Sequence, residues 1–263
     1  MTDPYRGAVV LTTLMISALA AAHASHAADV NAPPPLIVGW AGKGEIGYVM
    51  STGNVDAKSA NAKLDAAHTN GPWKDALHLE ALYSKSAAFV SGERWAALFQ
   101  TNYQLTQPLY VFGQLHYIDD KFSGFSYQGS TTAGVGYIFL ASAVNKLSAQ
   151  VGFGYRNLRP EAYVKDAAGN VLYRIPGTAS GNAIVTAAVD YEHDFNATTK
   201  LTDKLQTESG AANTLLENDL AVQVQMSRRL ALSAGYAIHH NSSPPAGVKK
   251  MDTLTTLNLV FAL

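Results

Sequence analysis

His78, Glu80, Arg94, His116, Arg156 and Glu192 are the residues of this sequence whose types could carry chemistry. A histidine paired with a serine nucleophile and an orienting polar group could hydrolyse an ester or transfer an acyl chain. In a membrane protein such a site must lie within reach of lipid. Both histidines instead fall near the middle of alternating segments, on the polar face, and the other four residues occupy the same kind of position. Charges enclosed in a protein need partners. The six are therefore read as a polar network lining or plugging an interior, and no catalytic residue is assigned.

Other patterns fail on context. Gly42-Lys43-Gly44-Glu45-Ile46-Gly47 matches G-x-G-x-x-G in form. A dinucleotide site needs that run after a strand and opening a helix, so that backbone N–H groups meet the pyrophosphate. Here prolines precede it and an alternating strand follows, so the glycines are expected to ease curvature or close approach. Asp119-Asp120 could meet a divalent cation or bridge lipopolysaccharide phosphates through one, but two adjacent carboxylates are too few for a dedicated calcium site. A solvated loop turn is the expectation there. His68, His239 and His240 fall at strand ends or loops, no H-E-x-x-H spacing occurs, and there is no cysteine. No metal and no cofactor is expected.

The elements that must position these residues are strands. In Arg94 to Leu105, Trp95, Ala97, Phe99, Tyr103 and Leu105 share one face, while Arg94, Gln100, Asn102 and Gln104 share the other. Alternation of period two is the mark of a strand with one apolar and one polar side. Trp73, Leu77, Leu79, Ala81 and Tyr83 oppose Lys74, His78, Glu80 and Ser84 in the same way. Leu109, Val111, Leu115 and Tyr117 oppose Gln114 and His116, with Tyr110 and Phe112 as exceptions, and Leu147 to Tyr155 opposes Lys146 to Arg156. Further strands are expected at Ile46–Thr52, Val55–His68, Tyr127–Phe139, Asn182–Phe195, Leu216–Met226, Leu230–His239 and Met251–Leu263. Lys200–Thr207 is a weaker one, because Asp203 interrupts its apolar face. That makes about twelve strands, each of a length that crosses a bilayer when tilted.

Connections sort by length. Residues 70–72, 106–108, 141–144, 196–199 and 227–228 form one set of short turns. The opposite set, 51–54, 86–93, 119–126, 158–181, 209–213 and 241–250, contains the long ones. Short periplasmic turns and longer extracellular loops are how a membrane barrel divides its connections. In the longest loop, Tyr163-Val164 and Val171-Leu172-Tyr173 flank Gly169-Asn170, which reads as a surface hairpin. Aromatic placement agrees. Tyr48, Tyr83, Trp95, Tyr117, Tyr127, Tyr155 and Tyr236 lie near the outer strand ends, and Trp73, Tyr103, Tyr137, Tyr191 and Phe261 near the periplasmic ends. All sit on apolar faces, as two interfacial belts require.

Composition supports a confined polar interior. Charged residues make up 15% of the chain, against about 25% in soluble domains, and the polar faces favour Gly, Ser, Thr, Gln and Asn. The net charge of −1 offers no field for nucleic acid. At the N-terminus, Arg6 precedes an apolar run from Ala8 to Ala22 that is too short to span a bilayer, followed by small residues at Ser25 and Ala27. Residues 1–27 read as a cleaved signal peptide and 28–39, with Pro33-Pro34-Pro35, as a linker. The barrel then occupies 40–263.

Trp40 to Asp56 (WAGKGEIGYVMSTGNVD), Tyr110 to Gly124 (YVFGQLHYIDDKFSG), Gly134-Val135-Gly136-Tyr137 and Gly152-Phe153-Gly154-Tyr155-Arg156 carry a resemblance. Over Trp40 to Leu263 the chain resembles the YdiY-like outer-membrane proteins, the domain-of-unknown-function 481 group, some of them labelled salt-induced. The resemblance implies an outer-membrane β-barrel and brings no reaction, cofactor or catalytic residue. The ending Asn258-Leu259-Val260-Phe261-Ala262-Leu263 resembles the terminal strand signal read by the barrel-assembly machinery, with Asn258 where Gly is common and Leu263 where an aromatic is common.

The fold expected is all-β: a transmembrane antiparallel up-and-down barrel of about twelve strands in the outer membrane. Its expected partners are outer-membrane lipid, lipopolysaccharide and, during biogenesis, the barrel-assembly machinery. A filled or narrow lumen with a structural, envelope-adaptive role is the leading reading. A small-solute channel and a lipid-modifying enzyme are the alternatives.

Overall fold

A computed structural model describes residues 38–51, 57–86, 89–165, 171–245 and 248–263. The signal peptide and all but the last two residues of the linker lie outside them. The strands are β1 (Val38–Ser51), β2 (Ala57–Asn70), β3 (Trp73–Ser86), β4 (Phe89–Gln104), β5 (Leu109–Asp120), β6 (Phe125–Ala141) and β7 (Asn145–Lys165). They continue with β8 (Val171–Pro176), β9 (Ser180–Asp194), β10 (Thr199–Gly210), β11 (Thr214–Gln225), β12 (Leu230–Asn241) and β13 (Met251–Ala262).

Each barrel strand pairs antiparallel with its neighbours in sequence, β7 pairs β9, and β13 pairs back onto β1. The result is a closed twelve-stranded up-and-down barrel. Closure removes every free edge from the barrel wall, the condition for placing a sheet in lipid. β8 stands outside the ring as the second arm of a hairpin on the end of β7, with Val164 opposite Tyr173 and Lys165 opposite Val171. The hairpin expected in the long loop is there, and its tip lies outside the described residues.

The short connections 71–72, 105–108, 142–144, 195–198 and 226–229 gather at one end, called here the turn end. Gly71 takes a positive φ of 59° in the tightest of them, a conformation that favours glycine. At the opposite, loop end the strands run further than alternation alone suggests. β4 already begins at Phe89, β5 continues to Asp120, and β10 continues to Gly210. Residues 86, 89–93, 119–120, 125–126 and 209–210 are therefore strand where alternation reads as loop, and the length asymmetry rests on 166–179 and 242–250. Described residues of the latter stretch reach the β5–β6 connection. A Cβ on Gly124, which has a φ of 80°, would come within 2.8 Å of Pro245 and 3.0 Å of Val248.

β10 is fully paired on both sides despite its interrupted pattern. Asp203 does point to the outer wall, where the Asn218 side-chain amide of β11 donates to its carboxylate at 2.6 Å. One polar group thus satisfies the other on the apolar face.

Candidate functional site

Strand parity decides what faces the lumen. Side chains alternate sides, so register fixes an interior set on every strand. All six residues of the expected network fall on that interior set, and they separate into three places.

The first is a chain of ion pairs on β1, β2, β3, β4 and β11. Arg94 donates to Glu80 at 2.6 Å and to Glu217 at 2.8 Å, with Asp120 3.9 Å from its Nε. Lys63 reaches Asp219 at 3.1 Å and Glu80 at 3.7 Å; Lys43 reaches Glu45 at 2.6 Å and Asp65 at 3.5 Å. His78 Nδ1 lies 2.7 Å from Asp65. The Arg94 side chain is only 6% exposed. In the ring β4 and β11 are six strands apart in either direction, so Arg94–Glu217 is a bond between opposite walls.

That bond has a geometric consequence. Twelve strands about 4.8 Å apart, tilted by roughly 40°, enclose a circle about 24 Å across between backbones. Extended arginine and glutamate side chains joined by a hydrogen bond reach only roughly 15 Å. The wall at β4 must therefore be drawn towards β11, and the section at this level is an oval.

The second place involves β5, β6, β7 and β10. The Arg156 side chain, 1% exposed, donates to the Asn213 carbonyl at 2.9 Å and to the Asn213 side chain, and its Nη1 is 3.8 Å from Glu208. Glu208 also accepts from Ser130 at 2.8 Å and lies 3.3 Å from His116 Nδ1. Serine, histidine and glutamate thus meet, but in an order unsuited to nucleophilic catalysis. A serine nucleophile needs the imidazole to take its proton, with the carboxylate behind. Here Ser130 donates directly to the carboxylate. The cluster is also buried within the barrel, away from lipid.

Glu192 stands alone at the turn-end rim, bridging Lys146 at 2.6 Å and Lys200 at 3.7 Å. It does not join the other five. Asp119 and Asp120 end β5 and are not a solvated loop. As adjacent strand residues they face opposite sides: Asp120 turns in beside Arg94 and accepts the Phe122 N–H at 2.9 Å, and Asp119 pairs with Lys121 at 3.1 Å. The two carboxylates cannot share one ion. Among the described residues no group of three His, Asp or Glu could hold a metal.

The exceptions Tyr110 and Phe112 are also interior. Both are buried, and their rings lie where Cβ atoms on Gly134, Gly136 and Gly152 would stand. Glycines on β6 and β7 make room for two aromatic side chains inside the barrel. Tyr110 donates to Gln150 at 3.2 Å, and Gln100 of β4, three strands away, donates to it at 3.1 Å. Between these aromatics and the Arg94 bridge remains a cavity of about 220 Å³, with a smaller one of about 60 Å³ on the loop side of Arg94.

On the outer surface the aromatics of the two expected belts occupy the opposite parity. Trp95 stacks on Tyr117 at 4.8 Å and Tyr117 on Tyr127 at 6.2 Å, linking three neighbouring strands near the loop end. Trp73 meets Tyr103 edge-on at 4.9 Å near the turn end. Tyr48, Tyr83, Tyr137, Tyr155, Tyr236 and Phe261 are exposed on the same surface, and Tyr191 is half-buried beside Asn145. The Gly42–Gly47 run lies inside β1. At Gly47 close approach is the reason for glycine, since a Cβ would collide with the Asn61 and Asn258 side chains.

Residues 44–263 match the family model described as "Protein of unknown function, DUF481". The chain belongs to the DUF481 family. It is 26% identical over 218 residues to the uncharacterized protein YdiY of Escherichia coli (strain K12), covering 82% of this chain and 81% of the relative. Among solved structures, the NanC porin is similar over 84% of this chain and 97% of its own, with 10% identity and a TM-score of 0.44. The translocator domain of autotransporter NalP from Neisseria meningitidis is similar over 84% and 86%, with 13% identity and a TM-score of 0.44. That family description names no function, so the lumen of the DUF481 barrel supplies the functional reading.

Several partners in that lumen are invisible to motif reading: Lys43, Glu45, Lys63, Asp65, Glu208, Glu217 and Asp219. Each lies on the polar parity of its strand, which was the available signal. What parity omits is height along the barrel axis, and height decides which charges meet.

Proposed function

We propose that this DUF481 chain is a non-enzymatic outer-membrane protein whose lumen is held closed by ion pairs between opposite walls. The turn end faces the periplasm and the loop end the exterior. The outer aromatic surface meets membrane lipid and lipopolysaccharide, and β13 presents the terminal segment to the barrel-assembly machinery. The role is structural and envelope-adaptive. The observation that carries the reading is the Arg94 side chain, hydrogen-bonded at once to Glu80 and to Glu217 on the facing wall. Buried pairs of this kind hold because removing one partner leaves an uncompensated charge, at a cost of about 3–5 kcal/mol.

Reconstitution of the folded protein into planar lipid bilayers tests it. The expected result is a silent membrane at moderate voltage, and steady open conductance would overturn the closed-lumen reading. Fractionation should recover the mature protein with outer membranes. A hydrolysis or acyl-transfer activity that vanished in H78A or H116A would overturn the non-enzymatic part.

A further inference from the structure

The two cavities lie on either side of one layer of side chains. Arg94, Glu217 and His239 line both the inner space of about 220 Å³ and the outer one of about 60 Å³. Arg94 thus faces both spaces, and the electrostatics around it are unbalanced. Glu80, Glu217 and Asp120 approach the guanidinium at 2.6, 2.8 and 3.9 Å, three carboxylates around one cation. Lys63 and His78 Nε2 approach Glu80 only at 3.7 and 3.9 Å, and Lys63 lies nearer to Asp219, at 3.1 Å.

Resting on the closed-lumen reading above, we infer that the lumen contains a path for small cations, one constriction of which is occupied by the Arg94 guanidinium as a tethered cation. With that group displaced, carboxylate oxygens from opposite walls face a gap of cation size. A carboxylate ring at a constriction selects cations, and low-dielectric walls focus its field. The inner cavity is lined by six carboxylates against three lysines and Arg94, with His78, His116 and His239 facing it as well, so the uncompensated negative charge is concentrated at Arg94's own site. Positive groups are not absent from the route, and Lys249 and Lys250 line the outer space itself. Lys146 and Lys200 flank Glu192 at the turn-end rim, but Lys146 is 60% exposed there, where salt screens its field. The constriction, where solvent is scarce, governs selectivity. An anion path would have to pass Glu80 and Glu217, so the geometry disfavours it.

The test compares wild type, R94A and R94K in planar bilayers under a tenfold KCl gradient, each first shown folded by a migration difference between unheated and heated samples in detergent gels. R94A is expected to open steps that pass K⁺ several-fold more readily than Cl⁻, and added guanidinium ion is expected to reduce that current by refilling the site. R94K keeps the charge, but one ammonium cannot hold Glu80 and Glu217 in the same fork, so brief cation-selective openings are expected. If R94A does not fold, R94K decides. Folded variants that stay silent, or that prefer Cl⁻, overturn the inference while leaving the closed-lumen reading standing. Steady conductance of the wild type overturns the closed-lumen reading; if R94A then leaves its selectivity unchanged, the cation path falls too.

Discussion

Asn258 of β13 donates to Glu45 of β1 at 3.1 Å and accepts from Asn61 of β2 at 3.0 Å, so one side chain ties three strands across the seam where the barrel closes. The seam needs it. The β1–β13 ladder runs only from Lys43 to Gly47, whereas β1 pairs with β2 from Val38 to Ser51. Asn258 is 2% exposed, so its bonds are not traded for bonds to bulk water.

N258A is therefore expected to destabilise the barrel by about 2 kcal/mol, since it leaves a buried acceptor on Glu45 and a donor on Asn61 without partners. Urea unfolding of the protein in lipid vesicles measures this, together with a lower temperature for the gel shift of the folded form. A glycine at 258, the type common at that position, should also destabilise. Unchanged unfolding would mean that the backbone ladder alone closes the seam.

Gly136 and Tyr110 make a second pair open to test. A Cβ on Gly136 would occupy the space of the Tyr110 ring, whose hydroxyl also holds Gln150. G136A is expected to cost about 1–3 kcal/mol by overpacking. In the G136A/Y110A double variant the added methyl should cost much less than it does alone. Additive losses in the double-variant cycle would show that the two residues do not compete for space.

On the outer wall, Asn218 is the partner that makes Asp203 tolerable. N218L removes the donor and leaves a carboxylate on an otherwise apolar surface, an arrangement that costs about 1–3 kcal/mol. D203L/N218L removes both polar groups and should recover that loss or exceed wild-type stability. The comparison is read from unfolding in vesicles, and equal stability of N218L and wild type would place Asp203 in water at the membrane surface.

These cases also mark how far the sequence could be read. Closure into about twelve strands was legible because each strand carries its own alternation, and β10 only looked doubtful because the answer to Asp203 stands on β11. Parity put His78, Glu80, Arg94, His116 and Arg156 inside. It could not join Lys63 to Asp219 or His116 to Glu208, which lie 156 and 92 residues apart and meet only through barrel closure and register. Tyr110 and Phe112 broke the pattern for a reason carried by other strands, the glycines of β6 and β7. Loops were overestimated at 86–93 and 119–126, since the polar residues near these strand ends resemble loop residues.

Glu208 and Glu192 show why position along the barrel axis decides the value of a carboxylate. Glu208 is buried and is shared by Ser130, His116 and Arg156, the last of which has no other carboxylate at ion-pair distance among the described residues. Glu192 bridges two lysines at the rim, one of them largely exposed. E208A leaves a buried guanidinium without its counter-charge and is expected to lose about 3–5 kcal/mol. E192A gives up exposed pairs worth about 0–1 kcal/mol. Salt separates them further: raising ionic strength should erase the small effect of E192A and leave that of E208A nearly intact, because buried pairs are screened far less. Unfolding midpoints of both variants at low and high salt provide the measurement. Equal losses would mean that water reaches Glu208 as freely as it reaches the rim, and the outer half of the lumen would then be open.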